Sequence, residues 1–203
     1  MTIYDLKPAF QNLLRPICNA LARAGITANQ VTVAAMLLSF VVGMLLVHLR
    51  HLQWILFLVP VALFVRMALN AIDGMLAREH DMQSALGGIL NELGDVISDT
   101  ALYAPFAVFA GISPHAVGAV VLLAVLSEMT GVVAVQIGAS RRYDGPMGKS
   151  DRAFVFGLLA VILGFGVDPG WWVNAALTVV AILIGLTIVN RARNALRELD
   201  ESG

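Results

Sequence analysis

The stretch Asn70-Ala-Ile-Asp73-Gly74-Met-Leu-Ala77-Arg78, followed after eight residues by Gly87-Gly-Ile-Leu-Asn91-Glu-Leu-Gly-Asp95, decides how this chain is read. It sets acidic and amide side chains inside two segments otherwise apolar enough to cross a bilayer. Ionisable groups at membrane depth are costly and persist mainly where they do chemistry or carry ions. The composition around it agrees: 59% of the 203 residues are hydrophobic and 13% charged. A soluble domain carries about 25% charged residues, so the chain reads as one all-α integral membrane domain, residues 1–203, with no separate soluble part.

Working outward, residues 3–24 read as an amphipathic helix lying in the membrane interface. Leu6, Phe10, Leu13, Leu14, Ile17 and Leu21 recur at helical spacing with Lys7, Arg15 and Arg23 between them. Gly25 ends this helix, and Thr27 or Asn29 caps the next. Six apolar segments follow within 30–197, at about 30–49, 53–77, 84–111, 115–140, 152–167 and 171–190. Trp171 and Trp172 after the Asp168-Pro-Gly170 turn suit an interfacial belt.

Orientation follows from the cations. With the N-terminus inside, Lys7, Arg15, Arg23, Arg78, Arg141, Arg142, Lys149, Arg152, Arg191, Arg193 and Arg197 fall on the cytoplasmic side and only Arg50 on the other. Both termini and the Asn70–Asp95 cluster are then expected to face the cytoplasm, in a bacterial inner membrane. The single cysteine, Cys18, reads as a small buried thiol.

Asn70 and Asp73 share a helix face with Arg66 a turn earlier, and Asn91, Asp95 and Asp99 line one face of the following helix. The two helices are expected to be antiparallel neighbours joined by a short cytoplasmic loop, so that their inner ends bring Asn70, Asp73, Asn91 and Asp95 to a common point. Oxygen ligands of this kind suit a hard divalent cation, Mg²⁺ or Mn²⁺. Gly74 leaves room for a phosphate or base to approach the backbone, and Arg78 supplies positive charge at the water boundary. Arg66 reads as a counter-ion to Asp73 or a structural link. Glu128, in mid-span, is expected to face the protein interior, and His80 to be solvated.

These residues resemble the CDP-alcohol phosphotransferases, integral membrane enzymes of phospholipid synthesis. Their signature is Asp-x2-Asp-Gly-x2-Ala-Arg-x8-Gly-x3-Asp-x3-Asp. The chain matches it at Asp73, Gly74, Ala77, Arg78, Gly87 and Asp95 without a gap, and an Asn-x2-Thr (Asn29, Thr32) opens the first span. It departs from the signature at its first and third aspartates, where it has Asn70 and Asn91. The resemblance implies a phosphatidyl group passed from CDP-diacylglycerol to a small alcohol, phosphorylated or not, such as glycerol 3-phosphate, with release of CMP. It further implies Asp95 as general base, a metal held by Asp73, Asp95, Asn70 and Asn91, and a CDP portion cradled by Gly74, Ala77, Arg78 and Gly87. By the same resemblance, Arg142, Lys149, Arg152 and Arg191 are candidates to bind an acceptor phosphate, and the protein is expected to be a homodimer among membrane lipids with no nucleic-acid partner. Each Asp-to-Asn change keeps an oxygen but removes a charge, so one metal, two or none remain open. Two other readings also stand: a catalytically impaired CDP-lipid-binding pseudoenzyme, and a small cation-coupled transporter. The absence of paired broken spans weighs against transport.

Overall fold

The computed structural model describes residues 3–202, with the side chains of residues 3–7 and 202 outside the described set. Seven α-helices follow one another: α1 (Ile3–Arg23), α2 (Ala28–His48), α3 (Leu58–Glu79), α4 (Ala85–Tyr103), α5 (Pro114–Gln136), α6 (Lys149–Gly164) and α7 (Trp171–Ser202). Short 3₁₀ turns, Gln53–Phe57 and Ala104–Val108, lead into α3 and out of α4.

Local chemistry sets the boundaries. Gly25, at φ +76, turns the chain out of α1 in a conformation that side chains with a Cβ rarely adopt. Thr27 then caps α2 by accepting from the Gln30 amide at 3.3 Å, and the Gln30 side chain accepts from the Thr27 amide at 2.9 Å. Asn29 is released from capping. Ser84 caps α4 by accepting from the Gly87 amide at 3.0 Å, and Pro114 fills the first turn of α5 behind the Ser113 cap.

Among the described residues, four helical stretches are long and apolar enough to cross a membrane: Ala28–His48, Gln53–Glu79, Pro114–Gln136 and Trp171–Glu201. The sequence reading expected six. The other two segments correspond to α4, where Glu92, Asp95 and Asp99 interrupt the apolar run, and to α6, which has only 16 residues and opens on Lys149, Asp151 and Arg152. Outward-facing Leu37, Phe40 and Met44 of α2, Val61 and Phe64 of α3, Leu122 and Met129 of α5, and Val179 and Ile182 of α7 give these helices an apolar exterior, the surface a lipid environment accepts.

The main core joins α2, α3, α4, α5, α6 and α7. Tyr103 stacks on Phe156 at 4.1 Å between ring centroids, and Phe106 meets Phe156 edge-on at 5.1 Å. A smaller core seats α1 through Leu14 and Cys18 against Ile72, Met75 and Leu76. Cys18 is fully buried, and burial together with nearby Glu79 raises its thiol pKa, as suits an inert packing residue.

One expectation about packing is corrected. The helices carrying the signature are not close neighbours along their length: α3 packs mainly on α2, α1 and α6, and α4 on α2 and α5. Helix α2 links them. Gly43 lies directly against the Ala101 carbonyl, and a Cβ at Gly94 would stand 3.0 Å from the Met36 sulfur. Small residues at these crossings let α2 and α4 approach closely.

Candidate active site

Although α3 and α4 touch little, their polar residues meet. Asn70 donates its amide N–H to Asp95 Oδ1 at 3.0 Å. Arg66 donates to Asp99 at 2.9 Å and lies 3.7 Å from Asp95. Asp95 also pairs with the Lys149 ammonium at the start of α6. Arg66 therefore answers Asp99 and Asp95, and is not the counter-ion to Asp73 that its helix spacing allowed. Asp73, 6% exposed, instead accepts from the Thr32 hydroxyl of α2 at 2.8 Å. The same hydroxyl lies 3.1 Å from the Ala28 carbonyl, an alternative acceptor for its one proton.

Three cavities converge on this cluster. The first, about 350 Å³, is walled by Asp73, Gly74, Ala77, Arg78, Gly87 and Asn91, with Asn29, Thr32 and Ser84 completing it. The Arg78 guanidinium folds back to 3.1 Å from where a Gly74 Cβ would be, and a Cβ at Gly87 would stand 2.8 Å from Asn29 Oδ1. That oxygen is buried without a hydrogen-bond partner, while the Asn29 amide donates to Ser84 at 3.3 Å. The second cavity, about 340 Å³, holds Asp95, Lys149, Glu92, Glu128, Arg141 and Arg191, and shares Asn91 with the first. The third, about 660 Å³, runs between α3 and α6 past Leu63, Phe64, Met67, Phe154 and Leu158 and ends on Arg66, Asn70, Asp99 and Lys149.

Behind the second cavity lies a buried charge network. Glu128 of α5 receives Arg152 at 3.0 Å, Arg141 at 3.3 Å and Arg191 at 3.4 Å. Arg141 also binds Glu92 through two bonds of 3.0 and 2.8 Å. Burial works against the Arg141 charge, but Glu92 and Glu128 outweigh it and hold the guanidinium pKa above its usual value. Arg152 completes the network with Asp99 at 3.4 Å. Glu128 thus faces the interior as expected, and its partners are charged.

Of the proposed acceptor cations, Lys149 and Arg191 line the second cavity. Arg152 is buried behind it, and Arg142 turns away to Glu198 at 2.7 Å and Asp144 at 3.2 Å. Arg141, its sequence neighbour, takes the place at the cavity wall. Sequence spacing cannot choose between adjacent arginines in a loop. Thr32 and Asn29 carry site contacts that were foreshadowed only by the Asn-x2-Thr pattern. His80 contacts Asn19 Oδ1 at 3.1 Å, at the edge of α1.

The donor set bears on a metal. Among the described residues, no group of three or more His, Cys, Asp or Glu side chains is placed to hold an ion. Two carboxylates, Asp73 and Asp95, are flanked by the amides of Asn70 and Asn91. Mg²⁺ is commonly held by one or two carboxylates with substrate phosphates and water completing the shell. The chemistry of these oxygens suits a hard divalent ion whose shell a phosphate-bearing substrate completes.

Fold and cluster together define an all-helical membrane protein with an acid–amide centre opening on polar cavities and one apolar groove. The chain belongs to the CDP-alcohol phosphatidyltransferase family, whose profile matches residues 25–189. It is 47% identical over 199 residues to the inner membrane protein YnbA of Escherichia coli strain K12, covering 97% of both chains. It is 25% identical over 189 residues to the phosphatidylinositol phosphate synthase of Mycobacteroides abscessus, covering 91% of this chain and 84% of that one. In fold it resembles the Mycobacterium tuberculosis phosphatidylinositol phosphate synthase crystallised with CDP-DAG bound, at TM-score 0.75 and 20% identity over 89% of this chain and 92% of that one. The same enzyme in complex with manganese and citrate matches at TM-score 0.75 and 21% identity, over 89% and 88%.

Proposed function

We propose that this chain transfers the phosphatidyl group of CDP-diacylglycerol to the hydroxyl of a small polar alcohol, releasing CMP. One observation carries the reading: the signature residues Asp73, Gly74, Ala77, Arg78 and Gly87 line one cavity, and that cavity meets, at Asn91, a second one holding Asp95. The relative crystallised with CDP-DAG supports the donor, and the manganese complex supports divalent-metal use.

The first cavity receives the CDP moiety, with Gly74 and Gly87 leaving the backbone open and Arg78 beside the pyrophosphate. The apolar groove between α3 and α6 receives acyl chain, its polar end at Asn70 and Lys149 marking the headgroup. The phosphorus next to the lipid then lies where the cavities converge. Asp95, 26% exposed at its side chain, takes the proton of the acceptor hydroxyl. The hydroxyl oxygen forms a bond to that phosphorus as the bond to CMP breaks, and CMP leaves with the electron pair. Asn70 and Lys149 hold the Asp95 carboxylate towards the acceptor. Asp73 and Asp95, with the amide oxygens of Asn70 and Asn91, are the residues that would hold Mg²⁺ or Mn²⁺. Such an ion, when bound, offsets charge on the pyrophosphate and improves CMP as leaving group.

In the membrane, α4 and α6 cross alongside α2 and α3, against which they pack, making six spans. Helix α1 lies in the interface with Leu13 and Ile17 outward. The Lys and Arg distribution supports a cytoplasmic site and cytoplasmic termini in an inner membrane. The homodimer implied by the family resemblance is read by cross-linking in membranes.

The test is CMP release by the chain purified in detergent, given CDP-diacylglycerol, Mg²⁺ or Mn²⁺ and a panel of alcohols. Tight binding of the donor with no CMP from any alcohol would instead support a lipid-binding pseudoenzyme.

A further inference from the structure

The wall of the second cavity bears on the chemical class of the acceptor, given the reading of that cavity as the acceptor's. Its cations are Arg141, Lys149 and Arg191; its carboxylates are Glu92, Asp95, Glu128 and Asp151. With Arg152, which pairs with Glu128 from behind the wall, four cations face four carboxylates.

Each cation is already engaged. Arg141 is bound through two bonds by Glu92, at 3.0 and 2.8 Å, and also contacts Glu128. Lys149 pairs with Asp95. Arg191, 1% exposed, donates to the Ser127 carbonyl at 2.6 Å, to the Asp144 carbonyl at 3.3 Å, and lies 3.4 Å from Glu128. Arg152, behind the wall, is divided between Glu128 at 3.0 Å and Asp99 at 3.4 Å.

A phosphate-binding pocket offers guanidinium or ammonium groups whose charge the ligand completes. Here Glu128 fills that role from within the protein, receiving three arginines at once. A phosphate monoester would add two negative charges to a wall whose cations are each already neutralised by a carboxylate, and would have to displace a buried carboxylate from its arginines. A divalent ion at Asp73 and Asp95 does not reverse this balance, because it faces the anionic pyrophosphate of the donor. The remaining wall, with the Asn91 amide, the Tyr143 and Ser150 hydroxyls and the outer carboxylate oxygens, offers paired donors and acceptors of the kind that bind hydroxyl groups.

We infer that the acceptor is an uncharged polyol, not a phosphate ester, and that Glu128 is the specificity determinant that excludes the phosphate. The reaction balance is unchanged: one polyol hydroxyl loses its proton to Asp95 and gains the phosphatidyl phosphorus, and CMP departs. The product headgroup carries only the new phosphodiester charge.

The test compares glycerol and myo-inositol with glycerol 3-phosphate and inositol 1-phosphate, using the full chain in detergent with CDP-diacylglycerol and Mg²⁺. CMP release and product mass are both measured, and CDP-diacylglycerol binding is measured separately. The polyols are expected to exceed their phosphate esters in kcat/KM by at least about tenfold, since paired carboxylates reject an added anion. Preference for a phosphate ester, or for an amino alcohol such as ethanolamine, overturns the inference. Absence of turnover with every acceptor while the donor still binds overturns the phosphatidyltransferase reading, and this inference with it; loss of donor binding sinks that reading too. Two variants sharpen the outcome. Glu92→Gln, at the more exposed side of the wall, frees Arg141, and Glu128→Gln frees the buried arginines. Either is expected to shift the ester-to-polyol ratio of kcat/KM upward by about fivefold or more, and to make inorganic phosphate an inhibitor competitive with acceptor. An unchanged ratio in a folded Glu92→Gln protein counts against the inference.

Discussion

Replacing Asp95 with asparagine separates chemistry from binding in this site. The Asp95 carboxylate accepts from Asn70 at 3.0 Å, pairs with Lys149 and lies 3.7 Å from Arg66. A positioned general base contributes about 10²- to 10⁴-fold to rate, or about 3–6 kcal/mol of barrier at about 1.4 kcal/mol per decade. The structural cost is smaller. Arg66 keeps Asp99 at 2.9 Å, and the Lys149 side chain, 33% exposed, turns to water, so a loss of up to about 1 kcal/mol is expected. The wall of the cavity proposed for CDP does not include Asp95, so CDP binding is read without divalent ion. Asp95→Asn is therefore expected to lower kcat for CMP release by about 10²- to 10⁴-fold while CDP binding, followed by titration calorimetry, and thermal stability stay close to the parent. A kcat within a few-fold of the parent refutes the general-base role. Loss of CDP binding with a proportionate loss of rate shows that the residue holds the donor instead.

Gly87→Val places a branched side chain against Asn29 Oδ1, which already stands 2.8 Å from a Cβ there; CDP affinity should fall by about tenfold or more with the fold intact, as read by calorimetry beside a thermal melt. Asp99→Asn strips a buried partner from Arg66 and Arg152, whose side chains are 5% and 1% exposed. Breaking a buried pair costs about 3–5 kcal/mol, and because each arginine keeps a second carboxylate the lower end is expected, as a lowered Tm in detergent. Asn70→Asp combined with Asn91→Asp doubles the carboxylates of the cluster and should tighten Mn²⁺ binding in the presence of CDP, measured by electron paramagnetic resonance. Unchanged ion affinity would argue against a common ion site.

Hydropathy and caps were enough to locate the helices, because Gly25, Thr27, the Asp168–Gly170 turn and the charged breaks act on their immediate neighbours. The signature spacing likewise assembled the wall of the first cavity, since Asp73, Gly74, Ala77 and Arg78 lie on consecutive turns of one helix. What the spacing could not supply was the third helix between the two that carry the signature. That arrangement depends on Gly43 and Gly94 facing α4 and α2 across a crossing, and small residues are too frequent in these helices to single out such a pair. The same limit applies to the charges. Glu92 is turned about 100° from Asn91 on the helix, which removes it from the Asp73 side, but nothing local says that it meets Arg141. Glu128 stands alone in an apolar helix, and its three arginines come from residues 141, 152 and 191, on a loop and two other helices.

Asn70 acquires a physical rationale once Lys149 is placed. An ionised aspartate at position 70 would face the Asp95 carboxylate across the present 3.0 Å contact, and two such anions repel unless a cation lies between them. Asparagine reverses the interaction, because its N–H donates to Asp95. Lys149 then neutralises Asp95 from α6, and Arg66 links it to the buried Asp99–Arg152–Glu128 chain. The carboxylate is thus held in place by protein groups on α3, α4 and α6 with no ion required for its orientation. Restoring aspartate at 70 removes the donor and adds the repulsion, so the restored site should need a bound cation to keep Asp95 in position. The double variant is accordingly expected to depend more steeply on divalent-ion concentration than the parent. A parent protein that shows the steeper dependence would mean that Asn70 and Lys149 do not organise Asp95.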